Sequence, residues 1–421
     1  MEFNDGQKAG IEALGAFLDS EDQFEFCLGG FAGTGKTTVI QHVFDSFDGR
    51  VLFTAPTHKA VGVLADMARE RGIGYPVETI HRGLSLKKSW NKDTGATEFI
   101  PDPKRVPMVE SYDVLVVDEC SMIGSELYGL VKPYIDSQRV KVIWMGDPLQ
   151  LPPVGDEEER SRSFEAPAGH TLTEVMRNGG VIAETVSRVR SNIDSVDPVC
   201  ARSAQDDRGE IEVMGSRLWV RRFLDEVSSN PESTNTQALA FTNKSVDWIN
   251  AHARKEMFGA DAAPYVAGER LVAVETFEQD GQIVFYTGAT FAVNDAWQTE
   301  EQGFGCWELE IEASRYGSTF KELILALDES QKPAVAKELK KRKEAAIKDR
   351  TKWGEYFRLK EMFANVRPGY AATVHKSQGS TYDKVYLAQT DVLRNAQFDH
   401  VLRNKLLYVG YSRTRSGLYI A

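Results

Sequence analysis

Eight consecutive residues constrain this chain more than any other feature. Gly30-Phe31-Ala32-Gly33-Thr34-Gly35-Lys36-Thr37 fits G-x-x-x-x-G-K-[ST], directly after an apolar run and directly before a helical pattern. Glycines at these positions let backbone amides wrap phosphate oxygens, Lys36 carries a positive charge to the β- and γ-phosphates, and Thr37 offers a hydroxyl to Mg2+. Gly30, Ala32, Gly33, Thr34, Gly35 and Thr38 belong to the same phosphate-binding segment. An ordinary Gly-rich turn would not require this full pattern between a strand and a helix. The loop therefore demands an α/β layer around it.

The flanking sequence supplies one. Apolar runs at Phe24 to Leu28, Val51 to Phe53, Val114 to Val117 and Val142 to Met145 alternate with helical patterns at Thr37 to Phe47 and Lys59 to Arg71. Strands alternating with helices predict a parallel sheet. A second set of runs, Ala238 to Phe241, Ala371 to Val374, Val385 to Ala388 and Leu418 to Ile420, with a helix over Asn243 to Met257, predicts a second such layer. Between its halves, Val266 to Ser314 is rich in β-branched and aromatic residues, with turn signals at Asp280-Gly281, Thr287-Gly288 and Gly303, and reads as an antiparallel insert. Phe320 to Gln331 and Ala334 to Phe363 read as two helices broken at Pro333. Trp90 to Phe99, with Asp93-Thr94-Gly95 at its centre, reads as a β-hairpin.

A second chemical signal follows the loop. The run Val114 to Val117 ends in Asp118-Glu119, so a buried strand delivers two acids at its carboxyl end. Asp118 is expected to help hold Mg2+, and Glu119 to orient and polarise an attacking water. Loop and acid pair together predict a nucleoside triphosphatase. They do not say what the hydrolysis drives.

Composition bounds the rest. The chain has 421 residues, enough for about two to four domains, and no run of the roughly 18 apolar residues that a membrane span needs. Its amino terminus lacks a basic region followed by an apolar run, and its four cysteines are scattered, so a reducing compartment is expected. The 50 Lys and Arg against 62 Asp and Glu leave a net charge of −12, which at first argues against a polyanionic partner. A polyanion held by local amides, hydroxyls and a few cations would meet that objection. Acids such as Asp156 to Glu159 can then lie elsewhere.

Several segments resemble helicase motifs. Asp118-Glu119-Cys120-Ser121 and Gly146-Asp147-Pro148-Leu149-Gln150-Leu151-Pro152-Pro153-Val154 resemble motifs II and III of superfamily 1 helicases. Thr373 to Ser380 resembles motif V of the RecD-like and Dda-like branch, and Tyr408 to Arg415 is similar to motif VI. Leu172 to Arg177 and Ala240 to Asp247 make the likeness closest to the Dda helicases of tailed phages. The resemblance runs from about Gln7 to Arg415. It departs from the usual pattern at Ser412-Arg413, where Thr-Arg is commoner, and at Asn178, where Gln is.

That resemblance implies an α/β fold of two RecA-like P-loop NTPase domains, with a β-hairpin pin inserted in the first and a small SH3-like barrel plus helical tower inserted in the second. The expected boundaries are 1–170 for the first motor domain with a pin at about 84–108, 171–260 and 367–421 for the second, and 261–366 for the barrel and tower. It implies ATP and Mg2+ as cofactors, with Gln7 at the adenine, Gln150 sensing the γ-phosphate, Arg177 and Arg413 neutralising charge in the transition state, and Gly379 near the nucleotide. For the track it implies Thr57 and His58 in motif Ia, Thr79 and His81 in motif Ib, and Thr242, Asn243, Thr373, His375 and Lys376 on the second domain. For a lone Thr or His, a local cap or core hydrogen bond is the commoner role. Phe99 would stack on a base or pack the hairpin against its own domain.

The function so implied is an ATP-dependent helicase moving 5′ to 3′ on single-stranded DNA and unwinding duplexes in replication, recombination or repair. Expected partners are single-stranded and forked DNA, with a single-strand-binding protein or replication proteins alongside. The expected protein is monomeric, independent of membranes and cytoplasmic, in the host cytoplasm if phage-encoded. Two other readings stay open on the residues alone: a translocase that strips proteins from single strands without processive unwinding, and a nucleic-acid-binding scaffold with a vestigial nucleotide site. RNA is also compatible with contacts directed at the backbone.

Overall fold

The computed structural model describes residues 3–70, 74–90, 97–153, 160–174, 180–231, 233–279, 282–315 and 318–421. It divides into two compact units. One comprises Met1–Glu212, Gln378–Thr381 and Val392–Leu418, and the other Val213–Ser377, Tyr382–Asp391 and Tyr419–Ala421.

In the first unit the strands are β1 (Glu25–Gly30), β2 (Val51–Ala55), β3 (Val77–Thr79), β4 (Leu86–Trp90), β5 (Thr97–Pro101), β6 (Val114–Val117), β7 (Lys141–Gly146) and β8 (Ala168–Leu172). The helices are α1 (Asp5–Asp19), α2 (Lys36–Phe44), α3 (His58–Glu70), α4 (Ile80–Gly83), α5 (Ser125–Asp136) and α6 (Val181–Arg190). Six strands form a parallel sheet in the order β3-β2-β6-β7-β1-β8. Its apolar runs are continuous because both faces are covered. Phe26, Leu28, Val51, Phe53, Val114, Val116, Ile143 and Met145 join one core with α1 and α2. Their neighbours Cys27, Leu52, Leu115, Val117, Val142 and Trp144 join a second core with α4 and α5. Period-two alternation therefore feeds two cores from the same strands.

β4 and β5 pair antiparallel from Leu86↔Pro101 to Trp90↔Thr97, as the hairpin expectation requires. Its expected turn, Asp93-Thr94-Gly95, lies outside the described residues, as do Arg177, Asn178, Asp156 to Glu159 and Asp280-Gly281.

The first unit extends past the expected boundary near 170, and a local reason is visible. The helix His400–Ser412 is sewn to the segment after α6. Asn404 Nδ2 donates to Ile193 O at 2.9 Å and Ser195 O at 2.8 Å, and Arg403 Nη2 to Val196 O at 2.6 Å. Ala201 N donates to the Tyr411 hydroxyl at 3.2 Å.

In the second unit, strand Thr236–Ala240 pairs in parallel with Ala371–Thr373 on one side and Tyr382–Leu387 on the other. Helices Ser216–Ser229 and Asn243–Phe258 cover it through Trp219, Phe223, Val246 and Ile249. The expected antiparallel insert is present as a five-stranded sheet in the order Ser318–Leu327, Phe304–Arg315, Thr290–Glu301, Arg270–Ala273 and Val366–Pro368. Leu309, Ile311, Ile324 and Ala326 lie in its core.

One expectation fails here. Phe320 to Gln331 is not a helix; Ser318–Leu327 is a strand, paired along its length with Phe304–Arg315. The alternation that buries Ile324 and Ala326 has period two, and cross-strand pairing fixes it. Pro333 accordingly opens the helix Lys332–Lys348 in its first turn instead of separating two helices, and a second helix, Trp353–Lys360, follows.

At the root of the insert, Arg270 is buried in the motor layer. Its guanidinium donates to the carbonyls of Thr236, at 3.3 Å, and Ser233, and lies over the Tyr370 ring. The preceding Glu269 carboxylate accepts from Arg254 Nε at 2.6 Å.

Candidate functional site

Because the first sheet is parallel, every loop leaving a carboxyl end emerges on one edge, where open α/β sheets collect their ligands. The phosphate loop leaves β1, Asp118-Glu119 leaves β6 and Asp147 leaves β7. Thr57 and His58 leave β2, and Thr79 closes β3. The strand order therefore puts the nucleotide residues toward the β7-β1 side and the motif Ia and Ib residues toward β3-β2, with β6 between them.

The phosphate loop is shaped by conformations that side chains resist. Gly33 and Gly35 have φ of 82° and 84°, in the left-handed region. A Cβ on Gly30 would lie 2.8 Å from Thr34 Oγ1, and one on Gly35 would lie 2.5 Å from Gln7 Nε2. Lys36 Nζ donates to Gly30 O at 2.7 Å and Phe31 O at 3.2 Å, so the ammonium is curled into the loop's own carbonyls. The tight cradle, its cation and the helix start behind it fit a triphosphate. Thr37 and Thr38 stand in the first turn of α2, half-buried.

Gln7 is buried against this loop. Its Nε2 donates to Thr34 O at 3.1 Å, while its Oε1 accepts from Asn4 N in a capping box at the start of α1. Here it braces the loop. Gly379 has φ of 71°, and a Cβ on it would lie 3.5 Å from that of Ala60 in α3.

Asp118 and Glu119 form a strained corner. Glu119 has φ of 52°, uncommon for a non-glycine residue, and its amide donates to Asp118 Oδ1 at 2.8 Å. Burial first, and the charge of Glu119 second, push the Asp118 carboxyl up to about 7, while Lys36 pulls it back. An acid so placed gains from a nearby cation. Asp118 with Thr37 thus fits a metal-holding pair.

Asp147 links three of the resemblance segments. Its Oδ2 accepts from Ala32 N at 3.1 Å and from the Tyr408 hydroxyl, and its Oδ1 accepts from Leu149 N at 3.0 Å. Burial and this carboxylate raise the Tyr408 hydroxyl well above the ordinary phenol range. Gln150 is buried, and its Oε1 has no partner among the described residues. Arg413 is also buried. Its guanidinium donates to Ser380 O at 3.3 Å and Ser412 Oγ at 3.0 Å, within the same unit as Lys36. Gln378 Nε2 donates to Leu151 O at 3.3 Å, tying the end of motif V to motif III. A cleft opens beside Ala32 and Gly33, lined by Arg190, Tyr408, Ser412 and Arg415. The Arg190 guanidinium lies 4.1 Å from the centre of the Phe31 ring.

The expected track residues share a local role. The hydroxyls of Thr57, Thr79, Thr242 and Thr373 each accept from a backbone amide three residues on, those of Ala60, Arg82, Ser245 and Lys376. All four therefore cap a turn after a strand. His58 is lowered to about 4 by burial, with His81 and Arg82 adding to it, and burial also lowers His81 and His375. Burial and the charge of Arg367 lower Lys376. Asn243 is exposed at the head of its helix. Phe99 is 41% exposed with its ring 4.6 Å from that of His81, so it packs on one side and is open on the other.

Sequence reasoning left out Asp147, Gln378 and Tyr408 as individual site residues, although each stands inside a segment it singled out. Asp391 carried no sequence signal at all. Its carboxylate accepts from Phe241 N at 2.8 Å and Thr242 N at 2.9 Å.

Residues 2–216 match the family model described as AAA domain, and residues 368–421 match that of the UvrD-like helicase C-terminal domain. The chain is 26% identical to the ATP-dependent DNA helicase dda of Enterobacteria phage T4, over the full length of both chains. Among solved structures it resembles a Pif1 helicase studied for DNA unwinding at forked duplex DNA, with a TM-score of 0.55 and 17% identity. It also resembles Pif1 helicase from Bacteroides in complex with ADP-AlF3 and single-stranded DNA, with a TM-score of 0.54 and 16% identity. Each likeness covers 100% of this chain and 92% of the other, and concerns the fold.

Proposed function

Since the chain belongs to the AAA domain family and is an ATP-dependent DNA helicase of the Dda/RecD-like branch of superfamily 1, we propose that it moves 5′ to 3′ along single-stranded DNA and opens duplexes ahead of it. The observation that carries this reading is the shared edge of the first sheet. Phosphate loop, acid pair and Asp147 stand there together with Thr57 and Thr79.

In this reading Lys36 leaves its own carbonyls for the β- and γ-phosphates, while the amides of residues 33–36 enclose them. Thr37 and Asp118 hold Mg2+, which when bound offsets phosphate charge. Glu119 orients the attacking water, and Gln150, buried and able to donate through its amide nitrogen, reads the γ-phosphate position. Arg413 and Arg177 stabilise the charge that develops as the bond breaks. Asp147 and Tyr408 carry any shift of the loop at Ala32 into the helix His400–Ser412. By motif order, residues 1–170 form one motor domain, 171–260 with 367–421 the other, and 261–366 the insert, a division that departs from the two compact units at 171–212, 378–381 and 392–418. The hairpin carrying Phe99 meets the fork, and replication, recombination or repair of phage-type DNA is the setting.

Lys36→Ala is expected to lower DNA-stimulated ATP hydrolysis by at least about a hundredfold, in the range seen when a preorganised charge is removed. Partial duplexes with a 5′ or a 3′ tail, in DNA and in RNA, test the rest. Unwinding confined to 5′-tailed DNA supports the proposal. Unwinding from 3′ tails, or protein displacement from single strands without unwinding, overturns it.

A further inference from the structure

The corner at Thr242 differs from the three other threonine corners in one respect. Thr57, Thr79 and Thr373 each accept one local amide, and their hydroxyl protons have no acceptor among the described residues. A hydroxyl in that state can still donate to a phosphate oxygen. Thr242 cannot. Its Oγ1 stands 2.9 Å from Ser245 Oγ and 3.2 Å from Asp391 Oδ1, and Ser245 Oγ donates to the same carboxylate oxygen at 2.7 Å. The amides of Phe241 and Thr242 donate to the other oxygen, Asp391 Oδ2. Two amides and two hydroxyls that could have met an anion from outside are thus taken up by an anion of the chain itself.

The sheet explains why a residue 149 positions away can do this. Strand Thr236–Ala240 lies between Ala371–Thr373 and Tyr382–Leu387, all parallel, so their carboxyl ends open on one edge. Asp391 sits in the first turn of the helix Gln389–Asn395 that follows the outer strand. Its carboxylate also faces the amino end of the 16-residue helix Asn243–Phe258, where negative charge is favoured. Beside the braced corner, Asn243 and Lys244 are exposed, and on the other flank Thr373 caps the turn that carries His375 and Lys376.

We propose that Asp391 is a positioning residue for single-strand engagement. It fixes the Phe241–Ser245 corner so that Asn243 and Lys244 meet the nucleic-acid backbone, and Thr242 shapes that corner without touching a phosphate. The inference rests on the helicase reading and deepens it at this one corner.

The test uses the full chain and a poly-dT oligonucleotide, reading ATP hydrolysis against oligonucleotide concentration, with the melting temperature of each variant. Asp391→Asn, which keeps the shape but loses the charge-assisted acceptors, should raise the half-saturating oligonucleotide about tenfold, with the maximal rate within about twofold. Thr242→Val should do the same, and the double variant should be no worse than either single one, as for two residues acting through one arrangement. Asp391→Glu should recover part of the loss. If Asp391→Asn does not fold, Ser245→Ala, which removes one donor to the carboxylate, carries the test with a smaller shift in the same direction. Additive losses would show Thr242 reaching phosphate on its own, and tighter binding by Asp391→Asn would show the carboxylate competing with phosphate. Either overturns the inference, as does an unchanged half-saturation. Absence of any stimulation in the wild-type protein would instead remove the helicase reading beneath it.

Discussion

Asp118 carries a charge that its surroundings resist. Burial and Glu119 raise its carboxyl from the ordinary acid range to about 7, so the proton is held through pH values where an exposed aspartate has lost it. A metal must displace that proton, and the carboxylate becomes fully available only above about 7. Half-saturating Mg2+ for hydrolysis should therefore rise as pH falls from 7.5 to 6, by up to about tenfold per unit, and a flat requirement would assign the metal elsewhere. The histidines run the other way. His58, His81 and His375 are lowered by burial, His58 to about 4, so they are neutral near pH 7. Their contribution to stability is complete above the unfolded value near 6.5 and is lost as pH falls below it, for His58 down to about 4. Melting temperature should decline across that window, and His58→Gln should make the decline shallower. Lys36 and Asp118 were legible because their neighbours in sequence define them. Asp391 was not, because its partners lie about 150 residues away.

The strand Ser318–Leu327 shows the same limit for an element. Its sequence, Ser-Thr-Phe-Lys-Glu-Leu-Ile-Leu-Ala-Leu, suits a helix as well as a strand, and only pairing with Phe304–Arg315 decides between them. The choice has a direct test. Ile324 is 1% exposed and Leu323 is 45% exposed, because they point to opposite faces of the sheet. Ile324→Ala should cost about 2–4 kcal/mol in chemical denaturation and Leu323→Ala less than about 1 kcal/mol. Equal losses would contradict the strand. The parallel strands of the motor layers were easier to read, since burial on both faces leaves unbroken apolar runs between helices.

For the whole molecule, the net charge of −12 and a nucleic-acid track are compatible if few cations carry the contact. Lys59, Lys244 and Lys376 stand at the strand-to-helix corners, and the remaining contacts proposed are amides and hydroxyls. With three neutralised phosphates, log affinity against log salt should have a slope of about −2 for a single strand. A slope of about −6 or steeper would require an extended basic groove. The sequence by itself determined the nucleotide chemistry and the α/β layers, because phosphate loops, acid-tipped strands and apolar runs are set by residues close together in the chain. Tertiary structure alone decided that Gln7 braces the phosphate loop, that Tyr408 and Asp147 meet at Ala32, and that Asp391 occupies the Thr242 corner. Those are hydrogen bonds across tens to hundreds of residues, and their partners become neighbours only when strand order is fixed.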